Sequence, residues 1–130
     1  MARTLFTGLA WLLAAGIATQ VFLAGLAIFV DPGWWGVHRS FVHAIEVVVL
    51  LLVALAFLGR LPASLRWLSA AAFGLIAVQY ATVELGLSAL AAMHPVNAML
   101  LFWLAVTLAR RARLAGNGGR PALRSAASRP

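Results

Sequence analysis

His43-Ala-Ile-Glu46 opens an apolar run that is closed by Arg60. A second stretch, His94-Pro-Val-Asn97, opens a similar run that is closed by Arg110-Arg111. In each stretch a polar residue follows the histidine by three positions, so both side chains share one face of a helix. Each run approaches the roughly 20 apolar residues that a helix needs to cross a bilayer core. The two stretches therefore predict two membrane-spanning helices, each with a histidine at its start.

The composition of the whole chain is typical of a membrane protein. Of its 130 residues, 64% are hydrophobic and only 10% are charged, whereas soluble domains are about half apolar and about a quarter charged. The net charge is +7, but the arginines lie at the ends of apolar runs and in the C-terminal tail, where they flank a bilayer. We therefore expect lipid around the chain and no nucleic-acid partner. The absence of cysteine excludes thiolate ligands and disulfides.

The apolar runs predict an all-α fold with four transmembrane helices in an up-down bundle. These helices cover about residues 4–30, 40–58, 65–91 and 95–109, and they form one membrane domain over residues 1–113. The first two turns between them contain proline and glycine, which interrupt helices, and the third is the short stretch Ala92-Met93-His94. Residues 114–130 are rich in Gly, Ser, Pro and Arg and cannot form a core, so we expect a disordered basic cytoplasmic tail.

The positions of the arginines predict the orientation. Arg3, Arg60, Arg66 and the basic tail fall on one side of a four-helix path, and only Arg39 falls on the other. By the positive-inside rule, both termini are cytoplasmic. The predicted location is a bacterial inner membrane, and both histidine stretches then begin near its outer face.

Helices one and two resemble helices three and four, which predicts a two-fold repeat of helical hairpins. The paired features are Gln20 with Gln79, His43 with His94, Glu46 with Asn97, and Arg60 with Arg111. Both halves cross from inside to outside and back, so the repeat is parallel. Chance similarity between leucine- and alanine-rich helices is the alternative.

Two histidines at similar depth predict a heme site. Helices two and four lie on a diagonal of an up-down bundle, and an imidazole–iron–imidazole unit needs that extra width. His43 and His94 are the predicted axial ligands of one b-type heme, for electron transfer or redox sensing. Glu46 or Asn97 would support the ligands. Arg39 lies at the height where heme propionates would emerge.

Other interpretations stay open. Both histidines can be interfacial residues that bind backbone or lipid headgroups, and Pro95 disfavours a helical conformation for His94. The chain can instead be a heme-free accessory subunit of a larger membrane complex. It can also be a small transporter that uses Glu46 and Glu84, since intramembrane carboxylates often mark ion paths.

His38 is expected to be a solvated loop residue, on another face from His43. No nucleophile–base set, phosphate-binding loop or zinc-ligand spacing is present, so the sequence favours binding over catalysis and leaves enzyme activity open. A membrane redox partner and a homo-oligomer are the remaining possible partners.

The polar residues resemble those of a family of small, uncharacterised bacterial four-helix membrane proteins. The matching stretches, within residues 18–111, are Gln20-Val-Phe-Leu-Ala-Gly-Leu, His38-Arg, His43, Gln79 and Ala-Met-His94-Pro-Val-Asn97-Ala-Met-Leu-Leu. The pattern is also distantly similar to one four-helix half of heme A synthase, where an outer-end histidine ligates heme. That resemblance implies His43 and His94 as ligands. The chain has only one such half, so the resemblance implies heme binding and not heme A synthesis.

Overall fold

The computed structural model describes residues 1–86 and 88–117. Four long helices and one single helical turn are present: α1 Ala2–Phe29, α2 Trp34–Leu58, α3 Ala63–Glu84, α4 Ser88–Ala91 and α5 His94–Asn117. The described ranges contain no strand, and the all-α prediction is confirmed. The turn α4 belongs to the connection between α3 and α5.

The four long helices form a ring of neighbours. Helix α1 packs against α2 and α5, and α3 packs against the same two helices. Helices α2 and α5 therefore face each other across the bundle, as do α1 and α3. This arrangement follows from the short connections, which place consecutive helices side by side in opposite directions.

The core of the bundle is built from apolar stripes with helical spacing. Buried side chains recur every three or four positions, as at Phe6, Ala10, Leu13 and Ile17 on α1; Ile45, Val49, Leu52 and Ala56 on α2; and Leu101, Leu104 and Leu108 on α5. This spacing keeps one face of each helix toward its neighbours. Alanines such as Ala72 and Ala105 are completely buried and allow the helices to approach closely.

The outer surface of the bundle is also apolar. Exposed side chains include Leu12, Phe22, Leu50 and Trp103, whereas the outward face of a soluble bundle is polar. Helices α1 and α2 and the segment Ser88–Ala115 are long and apolar enough to cross a membrane. These features indicate a membrane protein. Helix α3 does not reach the same standard because it carries Arg66, Gln79 and Glu84.

Helix α2 begins at Trp34, six residues before the predicted start at residue 40. The Asp31 carboxylate accepts a hydrogen bond of 2.7 Å from the Gly33 amide, and the Trp34 amide donates to the Asp31 carbonyl at 3.1 Å. The Asp-Pro-Gly sequence therefore starts the helix, where the sequence interpretation placed a longer loop. As a result His38 lies within α2, and its assignment to a loop was wrong.

The other helix ends also differ from the predicted bounds. Helix α3 ends at Glu84 and not near residue 91, because Gly86 adopts a positive φ of 65° that stops the helix. Helix α5 begins at His94, with Pro95 in its first turn, where proline has no helical hydrogen bond to lose. It continues to Asn117, beyond the predicted ends at residues 109 and 113. Residues 118–130 of the predicted disordered tail lie outside the described residues.

The turn after α2 provides a test of backbone strain. Arg60 has a φ of 48°, which is in the left-handed region, while the Leu61 amide closes the helix on the Ala56 carbonyl at 3.0 Å. Glycine adopts this conformation without a Cβ clash, so Arg60→Gly should stabilise the fold by about 0.5–1 kcal/mol. The measurement is the unfolding transition in detergent, followed by circular dichroism.

Arg66→Gly is the matched control, because it removes the same charge from inside α3. It should lower stability by up to about 1 kcal/mol, since glycine weakens a helix interior. A lower unfolding midpoint for Arg60→Gly than for the unmodified chain would contradict the account of this turn.

Candidate functional site

Gln20 on α1 and His38 on α2 form a reciprocal pair of hydrogen bonds, here named the first clasp. The Gln20 side-chain Nε2 donates to the His38 backbone carbonyl at 2.7 Å. The His38 Nδ1 lies 3.1 Å from the Gln20 backbone carbonyl oxygen. Because a carbonyl oxygen can only accept, His38 Nδ1 carries the proton of this bond. In the neutral ring, Nε2 is then left with a free lone pair.

Gln79 on α3 and His94 on α5 form a second clasp with the same two bonds. The Gln79 Nε2 donates to the His94 carbonyl at 3.1 Å, and His94 Nδ1 lies 3.2 Å from the Gln79 carbonyl. The Thr82 hydroxyl donates to that carbonyl at 2.7 Å and lies 3.1 Å from His94 Nδ1. Since the hydroxyl proton is used, Thr82 Oγ1 can accept from His94. Both partners therefore place the proton of His94 on Nδ1 as well.

The two clasps differ at the glutamine side-chain oxygen. Asn97, which is buried, donates from Nδ2 to the Gln79 Oε1 and to the Leu75 carbonyl, the latter at 2.8 Å. In the first clasp the position three after the histidine is Phe41, which has no such donor. The buried Gln20 Oε1 accordingly has no hydrogen-bond partner in the described part of the chain. The second clasp is therefore the more fully hydrogen-bonded of the two.

The two histidine rings held by the clasps lie next to each other across the bundle. The ring centroids of His38 and His94 are 6.5 Å apart, and the ring planes are inclined at 52°. Trp35 packs with its edge against His38, at a centroid distance of 5.3 Å. Both histidines are partly buried, so the pair sits at the N-terminal ends of α2 and α5 without being fully exposed to solvent.

His43 does not take part in this pair. Its side chain is 71% exposed, and its Nδ1 lies 3.0 Å from the Glu46 carboxylate. His43 and Glu46 share a face, as their spacing predicts, but five positions rotate His43 by about 140° from His38 around α2. The ring that faces His94 is that of His38. The structure therefore places His38, and not the predicted His43, beside His94.

The remaining predicted residues occupy separate places. Asn97 is part of the second clasp, whereas Glu46 lies away from both clasps, in the middle of α2. Arg39 directly follows His38 and is exposed. Glu84 is exposed and is the last residue of α3, so it lies at a helix end.

The donor set limits which metal could be held. Residues 1–86 and 88–117 contain no group of three or more His, Cys, Asp or Glu side chains that could hold a metal ion. A structural zinc ion needs four protein ligands and a catalytic one needs three. Two imidazoles are instead the protein ligand set of a six-coordinate heme, because the porphyrin supplies the other four nitrogens.

Residues 20–85 match the model of a family of unknown function (DUF6220). The chain belongs to that family. The DUF6220 match spans half of the chain and includes the first clasp, Gln79, His43 and Glu46, but it ends before His94. No curated protein and no solved structure matches the chain. The resemblance to an uncharacterised family is thus confirmed, whereas the similarity to heme A synthase receives no support from these comparisons.

The different bonding of the two clasps leads to a stability prediction. Gln79→Leu removes two side-chain hydrogen bonds, the one to the His94 carbonyl and the one from the Asn97 amide, and each lost bond costs about 0.5–1.5 kcal/mol. Gln20→Leu removes only one side-chain bond and an oxygen that is already unpaired. We therefore expect Gln79→Leu to be more destabilising, by about 0.5–1.5 kcal/mol, in detergent unfolding experiments. An equal or larger loss for Gln20→Leu would contradict this description of the clasps.

Proposed function

We propose that the chain is a four-span membrane protein that binds one b-type heme between His38 and His94, for electron transfer or redox sensing. One observation carries the proposal: the two rings lie 6.5 Å apart while both Nδ1 atoms are hydrogen-bonded to helix carbonyls. This combination leaves both Nε2 lone pairs without a protein hydrogen bond in the described residues, on two rings that are neighbours.

The ring spacing fits two ligands on one iron. Metal–imidazole bonds of about 2.0–2.1 Å, with roughly 1.1 Å from each nitrogen to its ring centre, separate opposed rings by about 6.3 Å. The 52° inclination also fits, because two axial imidazoles can take any rotation about their shared axis. Rings packed only against each other would be stacked or edge-on at similar distances, so the spacing supports the proposal jointly with the free Nε2 atoms.

The clasps would orient both ligands without any further residue. Histidines that bind metals usually donate the other ring N–H to a carbonyl or carboxylate, which fixes the tautomer and the ring direction. The Gln20 and Gln79 carbonyls are in that position. The Gln79 side chain, held by Asn97, ties the start of α5 to α3. When bound, a heme would supply a reversible one-electron carrier.

Arg39 provides a positive charge at the outer end of α2, next to His38. Heme propionates are anionic and lie at the polar edge of the macrocycle, so a guanidinium at this height would bind one of them by charge-assisted hydrogen bonds. This proposed role is the same as the one predicted for Arg39 from the sequence. Glu46 is assigned no part in ligand support, because its carboxylate pairs with the exposed His43.

The proposed topology has four spans with both termini in the cytoplasm. Arg3 donates a hydrogen bond to the Ala115 carbonyl, so the start of α1 lies beside the end of α5. Arg60 and Arg66, in and after the α2–α3 turn, belong to the same side, and the positive-inside rule makes it cytoplasmic. Helix α3 would be the fourth span because α2 and α5 flank it along the bundle. The bacterial inner membrane is the proposed location.

The heme-free accessory subunit is the second candidate function. The clasps join α1 to α2 and α3 to α5 through protein groups alone, which is also what a purely structural subunit requires. The two candidates differ in the use of Nε2, because the structural function leaves both Nε2 atoms without a ligand. Matched histidine variants distinguish them.

The test is the heme content of protein produced in a bacterial host supplied with a heme precursor and purified in detergent. We expect a Soret band and a reduced-minus-oxidised α band. His38→Ala and His94→Ala should each lower heme per protein by at least about tenfold, because a lost axial ligand cannot be replaced from the clasp.

His43→Ala is the matched control, since it removes an imidazole from the same helix five positions away. It should keep the heme content of the unmodified chain. Circular dichroism and gel filtration would show that each variant is folded. Loss of heme in His43→Ala with retention in His38→Ala would support His43 and His94 as the ligands. A colourless unmodified protein would favour the heme-free subunit.

A further inference from the structure

A lipid-facing groove between α2 and α3 is separate from the clasps. Its volume is about 230 Å³, and apolar side chains form most of its wall, among them Phe73, Ile76 and Ala77. Glu46 and Tyr80 are its ionisable lining residues. Phe73 is 50% exposed, so the groove opens toward the surface that lipid would cover.

Glu46 is an unusual residue for this position. It is the thirteenth of the 25 residues of α2, about 18 Å along the helix from Trp34. A carboxylate at this depth costs several kcal/mol unless it is paired or takes part in binding. His43 bonds one oxygen, Oε2, at 3.0 Å, and the carboxylate also lines the groove.

Tyr80 brings a second polar group to the same groove. Side chains of helices lean toward the helix N-terminus, so Tyr80 on α3 and Glu46 on the antiparallel α2 lean toward each other. The Tyr80 hydroxyl lies within reach of the Glu46 carboxylate, but the contact does not meet strict hydrogen-bond geometry. A bound molecule with its own polar group could therefore improve the hydrogen bonding of both side chains.

We propose that this groove binds the ring of a membrane quinol, with one ring hydroxyl donating to Glu46 and the Tyr80 hydroxyl bonded to the same ring oxygen. The apolar wall fits one substituted aromatic ring, and the opening to lipid fits a hydrophobic tail. The Glu46 carboxylate can accept a hydrogen bond and the Tyr80 hydroxyl can donate one, and a quinol hydroxyl can do both. A fatty-acid carboxylate would instead be repelled by the Glu46 charge.

The choice of a quinol over another hydroxylated lipid rests on the proposed heme function. Tyr80 directly follows Gln79, whose carbonyl holds His94. Glu46 lies eight residues beyond His38, about 12 Å along α2. The groove therefore lies farther along the bundle from the histidine pair, within about 12 Å of His38 along α2, and a quinol there would be the membrane-soluble electron partner of the heme.

The experiment is photolabelling of the full chain in lipid nanodiscs with an azido-benzoquinone that carries a short alkyl tail, reduced to the quinol before illumination. Peptide mapping should place the label on α2 and α3 beside the groove. An excess of unlabelled decylubiquinol should suppress it. Glu46→Leu and Tyr80→Phe should each reduce specific labelling at least about fivefold, since each removes one hydrogen bond to the ring.

Ala77→Phe fills the groove, and Ala71→Phe places the same ring on an exposed position of α3 outside it. Labelling should be lost only in Ala77→Phe. Equal labelling in these two variants, or a label that maps elsewhere, overturns the groove proposal.

The same samples are measured for heme by their Soret band. Groove labelling in protein that carries no heme supports the binding site and refutes the heme proposal. Heme without groove labelling supports the heme proposal and refutes the quinol site, so the two failures are distinguishable.

Discussion

The hydrogen bonds that His38 Nδ1 and His94 Nδ1 make to glutamine carbonyls on neighbouring helices set the arrangement of the end of the bundle where α2 and α5 begin. In a bilayer no water is available to satisfy polar groups, so such groups must find partners within the protein. The clasps meet this requirement for His38 and His94 and, at the same time, fix the register of α1 against α2 and of α3 against α5. The ring tautomers, the free Nε2 atoms and the spacing between the rings all follow from these bonds.

The rest of the bundle supports this end without contributing to its chemistry. Interdigitated apolar side chains and small residues hold α2 and α5 at opposite corners of the bundle. The distance between these two helices determines how closely the His38 and His94 rings can approach each other. The two clasps make the same bonds, but the counterpart of His94 is His38 and not the His43 of the predicted repeat. Their difference at Asn97 shows that the halves are not interchangeable, since only the second glutamine is fully hydrogen-bonded.

Much of the fold could be predicted from the sequence because apolar runs and arginine positions depend on the bilayer and not on tertiary contacts. The site was predicted only in part. His94, Asn97 and the match of Gln20 with Gln79 came from the sequence, but His38 was placed in a loop because glycines at positions 33 and 36 were taken as helix breakers. The Asx turn at Asp31, whose carboxylate accepts from the Gly33 amide just before α2, depends on local geometry, which composition alone does not reveal.

The central claim is that His38 and His94 supply both axial ligands of one heme. Its most direct test is low-temperature electron paramagnetic resonance, with nitrogen hyperfine measurements on ferric protein labelled with ¹⁵N-histidine. The account predicts a low-spin signal coupled to two histidine nitrogens, with only one coupled nitrogen left in His38→Ala if residual heme is retained. A high-spin signal, or two coupled nitrogens that persist in His38→Ala, would contradict it.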